Sequence, residues 1–88
     1  MKGFVYILQS LKTNRYYIGS TNNIERRLKE HKQGRTKATK YILPVELKFY
    51  QQYESLTLAK QVEYKIKKLK RKDIINKIIE QKQIKLSP

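Results

Sequence analysis

Two polar side chains that can act on phosphate share the apolar face of a predicted helix. Ile24, Arg27, Leu28 and His31 have the spacing i, i+3, i+4 and i+7, which puts all four on one side of a helix. A guanidinium can hold phosphate oxygens, and an imidazole can accept or pass a proton near neutral pH. The pair predicts either a functional site or, for His31, a residue that satisfies the carbonyl groups of the last helical turn.

A carboxylate lies at the edge of a second apolar helix face. Glu63 follows Ala59 by four residues and precedes Ile66 by three. A carboxylate turned toward a core is unfavourable unless it is paired or binds a cation, so Glu63 predicts either a salt bridge, for example with Arg27, or a metal ligand. The seven acidic residues are scattered, and no carboxylates are paired. A metal ion at Glu63 would therefore take mostly water and phosphate ligands, which suits Mg²⁺.

Three segments predict the strands that must hold these residues. The segments 3–8 and 16–20 are rich in β-branched and aromatic residues and predict a hairpin whose turn contains Asn14, while 45–53 predicts a third strand. Tyr6 shares a strand face with Phe4 and Leu8, and Tyr17 shares one with Gly19. A glycine inside a strand indicates that another group must approach the backbone closely.

Three helices are predicted between and after the strands. The first spans the segment 21–34, with Asn22 or Asn23 as its cap and Gly34 at its end. Segments 56–70 and 71–83 predict the other two helices, and the basic loop 35–44 has room for one helical turn. No repeat, linker or second domain is indicated.

Charge is the strongest global signal. The chain has 21 Lys and Arg against seven Asp and Glu, a formal net charge of +14. Such a field attracts polyanions, which favours nucleic acid as the partner and leaves open whether the protein only binds it or also cuts it. The basic cluster 67–72 could contribute to this surface. Six further cations flank the predicted site and could follow a phosphate backbone: Arg26, Lys29, Lys32, Arg35, Lys37 and Lys40.

Cysteine usage and hydropathy exclude several classes. The chain has no cysteine, which excludes disulfides and thiolate metal sites. No apolar run approaches the ~20 residues of a membrane helix, and the N-terminal apolar run is interpreted as a strand and not as a signal peptide. A cytoplasmic protein with no membrane association is expected.

Together these residues resemble the GIY-YIG nuclease family. The first half-motif is "FVY" (Phe4–Tyr6) and the second is "YIG" (Tyr17–Gly19), and Arg27, His31 and Glu63 follow in order. The resemblance covers about residues 3–80, leaving 81–88 as a tail. It is nearest to the small stand-alone bacterial members and extends to the N-terminal nuclease domain of the excision-repair incision subunit.

The resemblance implies a fold and an activity. It implies a single compact α/β (α+β) domain, with a three-stranded antiparallel sheet flanked by about three helices. It also implies an endonuclease that hydrolyses DNA phosphodiesters in repair or processing, with one divalent metal, Mg²⁺ or Mn²⁺. A protein partner could direct it to its target. The alternative is a nucleic-acid-binding module that kept the fold and lost catalysis, although a pure binder would gain from losing Glu63, because a carboxylate repels phosphate.

The resemblance also implies a role for each site residue. Glu63 would hold the metal, and Arg27 would contact the non-bridging phosphate oxygens. Tyr17 would be the general base or would position the water together with Tyr6, and His31 would hydrogen-bond a tyrosine or shuttle its proton. Asn76 is carried over as the asparagine that follows the metal-binding glutamate. Two positions depart from the family pattern: Phe4 replaces glycine, and Ser20 stands where some relatives have a lysine.

Overall fold

Three strands form one antiparallel sheet. The computed structural model describes residues 2–85, so Met1 and residues 86–88 of the predicted tail lie outside the described residues. The strands are β1 (Gly3–Ser10), β2 (Tyr16–Thr21) and β3 (Val45–Tyr53), in the order β2–β1–β3. The predicted α+β architecture with its three-stranded antiparallel sheet is confirmed. The turn between β1 and β2 places Asn14 at a φ of 62°, the left-handed conformation that asparagine tolerates.

Four helices accompany the sheet in the described residues. They are α1 (Ile24–Lys32), α2 (Lys37–Lys40), α3 (Leu56–Leu69) and α4 (Lys72–Gln81). Three correspond to the predicted helices, and α2 is the single helical turn that the basic loop could accommodate. None of the helices in the described part of the chain is long and apolar enough to cross a membrane.

Side-chain and backbone caps fix both ends of α1. Asn23, and not Asn22, is the N-cap, because its side chain accepts a hydrogen bond from the Arg26 amide at 3.0 Å. At the other end Gly34 has a φ of +75°, and its amide donates to the His31 carbonyl. The Arg35 amide donates to the Glu30 carbonyl, which completes a Schellman motif. The chain therefore reverses sharply after α1 and directs α2 back toward the helix.

The sheet carries a core on each face. On one face Val5, Ile7 and Ile18 pack against α3 and α4. On the other face Tyr6, Leu8 and Tyr17 pack against α1 and the loop that follows it. The chemically interesting residues of β1 and β2 thus share the α1 face, while α3, which carries Glu63, packs on the opposite face.

A β-bulge lets one strand serve both cores. The pairing of β3 with β1 shifts between Ile7 and Leu8, because Leu47 lies opposite Leu8 while Phe49 lies opposite Ile7. Lys48 is therefore the extra residue, and the side chains beyond it change faces. The sequence predicts the strand but not the bulge, since the apolar alternation runs through 45, 47 and 49 without a break.

The packed part of the chain extends beyond residue 80. Ile84, which belongs to the segment expected to be a tail, is 4% exposed and lies in the core with α3 and α4. The Gln51 side chain accepts from its amide at 2.9 Å and donates to its carbonyl at 3.5 Å. Burial of one isoleucine contributes about 1.5–3 kcal/mol, so this short segment belongs to the fold.

Candidate active site

A buried hydrogen-bond network links β1, α1 and α2. The Tyr6 hydroxyl lies 2.9 Å from His31 Nε2, and His31 Nδ1 lies 2.7 Å from Thr39 Oγ1. Tyr6, His31 and Thr39 are at most 1% exposed. The sequence therefore correctly predicts that His31 points inward, and the alternative in which it satisfies the last carbonyls of its helix is wrong. The turn at Gly34 is what returns Thr39 to the imidazole.

Arg27 joins this network at the Tyr6 hydroxyl. Its Nε lies 3.4 Å from that oxygen and donates to it, while Nη1 contacts Glu30 Oε1 at 3.0 Å. Since Tyr6 accepts from Arg27, its own proton is directed to His31 Nε2. The imidazole then carries its proton on Nδ1 and donates to Thr39, which satisfies every contact with one tautomer.

Burial and charge set the protonation states in the network. Burial raises the pKa of Tyr6 to about 12, against the opposing effect of the Arg27 hydrogen bond. Burial, followed by the charge of Arg27, lowers the pKa of His31 to about 4. The hydrogen bonds to Tyr6 and then to Glu30 raise the pKa of Arg27. At neutral pH the site therefore holds a neutral phenol, a neutral imidazole and a guanidinium.

Tyr17 lies beside the network with its ring against both neighbours. Its ring centroid is 5.1 Å from that of His31 and 6.2 Å from that of Tyr6. Within residues 2–85 its hydroxyl makes no hydrogen bond, which leaves that oxygen available to a water molecule or a substrate. The Tyr6 ring lies directly over Gly19, where a Cβ atom would come within 2.5 Å of the ring carbon Cζ. The expected close approach to this glycine is thus the phenol of the site.

Glu63 reaches the same edge of the sheet from α3. Ser20 Oγ on β2 donates to Oε1 at 2.5 Å, and Lys67 Nζ lies 2.6 Å from Oε2. The Glu63 side chain is 18% exposed. Its charge is among those that raise the pKa of Tyr6, so the carboxylate acts electrostatically on the network. One of the two predictions for Glu63 was a salt bridge with Arg27. That prediction is wrong, because Arg27 pairs with Glu30 and Glu63 pairs with Lys67.

Comparison with known proteins identifies the family. A family model described as the GIY-YIG catalytic domain matches residues 2–78. The chain belongs to the GIY-YIG family. A UPF0213 protein of Bacillus licheniformis is 42% identical over 71 residues, which cover 80% of this chain and 72% of that protein. A UPF0213 protein of Clostridium perfringens is 40% identical over 83 residues, which cover 93% and 87%.

A solved structure shares the fold as well. The solution NMR structure of a UPF0213 protein from Bacillus halodurans superposes with a TM-score of 0.59 at 30% identity, covering 93% of this chain and 86% of that one. The names of these UPF0213 proteins specify no reaction. The chain is thus similar to small bacterial members of a nuclease family, and its reaction must be argued from its own residues.

The remaining predicted residues of this GIY-YIG domain lie around the network and not in it. Asn76 on α4 accepts a hydrogen bond from the Tyr16 hydroxyl at 2.7 Å, so its observed partner is the tyrosine next to Tyr17. The six cations of the predicted nucleic-acid surface are all exposed along α1, α2 and the turn between them: Arg26, Lys29, Lys32, Arg35, Lys37 and Lys40.

Three residues of the site do not stand out in the sequence. Lys67 lies one helical turn after Glu63, a spacing that permits an ion pair, and its Nζ also lies 5.6 Å from the Tyr17 ring centroid. Ser20, a departure from the family pattern, is the donor that orients Glu63. Thr39 carries no sequence signal, because its contact with His31 depends on the turn at Gly34.

Proposed function

We propose that this GIY-YIG protein is a divalent-metal-dependent endonuclease that hydrolyses phosphodiester bonds in DNA. The observation that carries the proposal is the position of Glu63, a half-buried carboxylate at the β2 edge beside the Tyr6, Arg27 and His31 network. A chain of net charge +14 gains nothing for phosphate binding from a carboxylate at this position. A carboxylate that holds a cation explains its presence.

The donor set fits Mg²⁺ or Mn²⁺ bound together with substrate. Among residues 2–85, no three His, Cys, Asp or Glu side chains are grouped to enclose a metal ion. Mg²⁺ keeps several waters and commonly binds through one or two carboxylates plus phosphate oxygens. Glu63 could serve as that carboxylate: Ser20 orients Oε1, and the metal would replace the Lys67 ammonium at Oε2. When bound, the metal would neutralise charge on the phosphoryl group and the leaving oxygen.

The other side chains have separate tasks in this proposal. Arg27 presents a permanently charged guanidinium, with 35% of its side chain exposed, toward the non-bridging oxygens of a phosphodiester. The Tyr6 hydroxyl is enclosed between His31 and Arg27, and burial raises its pKa, so its task in this proposal is to position its neighbours. The Tyr17 hydroxyl is then the group that orients or deprotonates the attacking water. His31, neutral and anchored by Thr39, fixes both tyrosine rings.

Cleavage of end-labelled DNA tests the proposal. Wild type is incubated with duplex, single-stranded and branched DNA in Mg²⁺, Mn²⁺ or EDTA, beside Glu63→Gln and Tyr17→Phe. We expect metal-dependent cutting that each substitution reduces by about 100-fold or more. Glu54→Gln is the matched control, because Glu54 is an exposed carboxylate whose salt bridge is with Lys2. That variant should cut at the wild-type rate.

A binding module without catalysis is the second candidate. It is favoured by the observation that Lys67 and Ser20 already satisfy both oxygens of Glu63, which gives the carboxylate a structural role without a metal. In this case wild type would bind DNA in a salt-dependent manner and cut it in neither metal. Glu63→Gln would leave that binding unchanged or tighten it, and the endonuclease proposal would be wrong.

A further inference from the structure

A cationic cleft lies next to the proposed active site, on the α3 side of the sheet edge. It has a volume of about 320 Å³ and lies between β2, the end of α3 and the start of α4. Its floor includes the Tyr16 ring, and five cations line it: Arg15, Lys67, Lys70, Arg71 and Lys72. None of these residues except Lys67 contacts the site already described.

Most of the charge in this cleft is not neutralised by the protein. Arg71 forms a two-point ion pair with Asp73, at 2.7 and 3.2 Å, and Lys67 pairs with Glu63. Arg15, Lys70 and Lys72 have no carboxylate partner in the part of the chain that the structure describes. Grouping like charges in a concave surface raises the local potential and concentrates anions there. The cleft is therefore suited to a polyanion.

Tyr16, which lines the cleft, makes two contacts with α4. The Tyr16 hydroxyl donates to Asn76 Oδ1 at 2.7 Å, which ties β2 to α4. Lys72 Nζ lies 5.7 Å from the centroid of the Tyr16 ring, within the range of a cation–π contact. Asn76 thereby acts as a positioning residue for the cleft. This assigns a task to an asparagine that the geometry keeps out of the Tyr6 network.

The cleft is linked to the proposed metal ligand through one side chain. Lys67 lines the cleft and also contacts Glu63 at 2.6 Å, so a phosphate in the cleft and a phosphate at Glu63 would be neighbours along one backbone. We propose that the cleft binds the backbone phosphates on one side of the phosphodiester that lies at Glu63. A nucleic-acid strand would then cross the β2 edge from the cleft to Glu63. This inference rests on the proposed function and adds a second phosphate-binding surface, distinct from that of α1 and α2.

Lys70 offers a substitution that should remove charge without harming the fold. Its backbone has φ 51° and ψ 36°, the left-handed conformation in which glycine is favoured at a helix end. Lys82 has the same conformation, φ 54° and ψ 40°, at the end of α4, and it does not line the cleft. Lys70→Gly and Lys82→Gly therefore remove the same charge from the same backbone geometry at two places, one in the cleft and one outside it.

Binding of fluorescently labelled DNA in EDTA, followed by anisotropy over a range of salt, compares these variants. We expect Lys70→Gly to weaken binding about 3- to 10-fold near 0.1 M salt and to reduce the salt slope by about 0.9, the effect of one lost phosphate contact. Lys82→Gly should bind as wild type does. The double variant Arg15→Gln/Lys70→Gly should reduce the salt slope by about twice as much as Lys70→Gly does. Its control is Lys77→Gln/Lys82→Gly. Thermal unfolding verifies that all four variants fold.

Three results would overturn the inference. Equal losses in the cleft and control variants would show that only net charge matters. Wild-type affinity in Lys70→Gly and in its double variant would rule out the cleft while leaving the proposed function intact, provided that wild type binds and cuts DNA. Absence of wild-type binding to DNA, with Lys70-dependent binding to vesicles of anionic lipid, would overturn both the cleft inference and the proposed function.

Discussion

At the residue scale, the protonation of each group in the site depends on its neighbour. The Arg27 guanidinium directs the Tyr6 proton toward His31, and burial keeps the imidazole neutral so that it can accept. Thr39 accepts from the other ring nitrogen and fixes the tautomer. These residues form one polar unit in an otherwise apolar layer, and removing one of them leaves its partners unsatisfied.

Stability should depend on pH through His31. In the folded state the pKa of His31 is about 4, below its ordinary value near 6.5, so between these values the unfolded chain binds more protons. Stability should therefore be full above pH 6.5 and fall as the pH drops toward 4, by up to about 3 kcal/mol. Urea unfolding between pH 7.5 and 4.5 measures this loss.

The single imidazole makes the result easy to assign. His31→Gln should show a flatter dependence over the same range, because the chain contains no other histidine. The pKa of His31 can also be measured directly by NMR from its ring protons. A value near 6.5, or an equally steep loss in His31→Gln, would contradict the prediction.

Removing the Tyr6 hydroxyl should destabilise the protein. Tyr6→Phe leaves His31 Nε2 without its donor in a fully buried position, and Arg27 loses an acceptor. We expect a loss of about 1–3 kcal/mol in the free energy of unfolding, the usual result of an unsatisfied buried group. Tyr50→Phe is the control, since Tyr50 is 52% exposed, and it should change stability by less than about 0.5 kcal/mol. A Tyr6→Phe variant as stable as that control would show that the network contributes nothing.

At the element scale, the sequence predicts what depends on local chemistry. The alternation of apolar residues, the N-cap of α1 at Asn23 and the turn at Asn14 each act within a few residues, and all of them are observed. The bulge at Lys48 and the burial of Ile84 depend on a neighbouring strand or helix and leave no local pattern. For the same reason His31 and Glu63 are recognisable by their positions on apolar faces, whereas their partners Thr39 and Ser20 are not.

Gly34 should matter because it directs α2 toward the site. A Cβ atom there would lie 3.6 Å from Leu43 Cδ1, an ordinary contact, so the penalty of Gly34→Ala comes from the φ of +75°. We expect Gly34→Ala to lower the free energy of unfolding by about 1 kcal/mol. Gly34→Asn should lose less, because asparagine tolerates the left-handed region. Thermal or urea unfolding measures both, and equal stability of the three proteins would exclude the strained turn.

At the scale of the whole molecule, the fold positions the site and the positive charge lies on the surface. The sheet and its two cores hold the Tyr6 network and Glu63 at one edge, while the excess of 14 positive charges covers the surface. The sequence reports the total charge and the basic cluster at 67–72, but not that Arg15 lies beside this cluster. In the cleft between β2, α3 and α4, Arg15 from the hairpin turn meets lysines that follow it by more than 50 residues.

Affinity for DNA should fall steeply with salt. If about six phosphates are neutralised, the logarithm of the binding constant should fall with the logarithm of the salt concentration at a slope near −5. Anisotropy titrations between about 0.05 and 0.3 M salt measure this slope, with an uncharged oligonucleotide analogue as the control. A slope near zero would contradict a phosphate-directed interaction.

The register shift in β3 has a consequence for how this chain can vary. Val45 and Leu47, before Lys48, face the layer of α1, and Phe49 and Tyr53 after it face the layer of α3 and α4. Deleting Lys48 would leave the pairs on both sides of the bulge unchanged, whereas deleting a paired residue such as Gln51 would exchange inside and outside for one part of the strand. Substitutions along β3 alter one contact at a time, whereas a change in its length anywhere except at Lys48 alters every contact downstream. The strand therefore constrains insertions and deletions more strongly than it constrains composition.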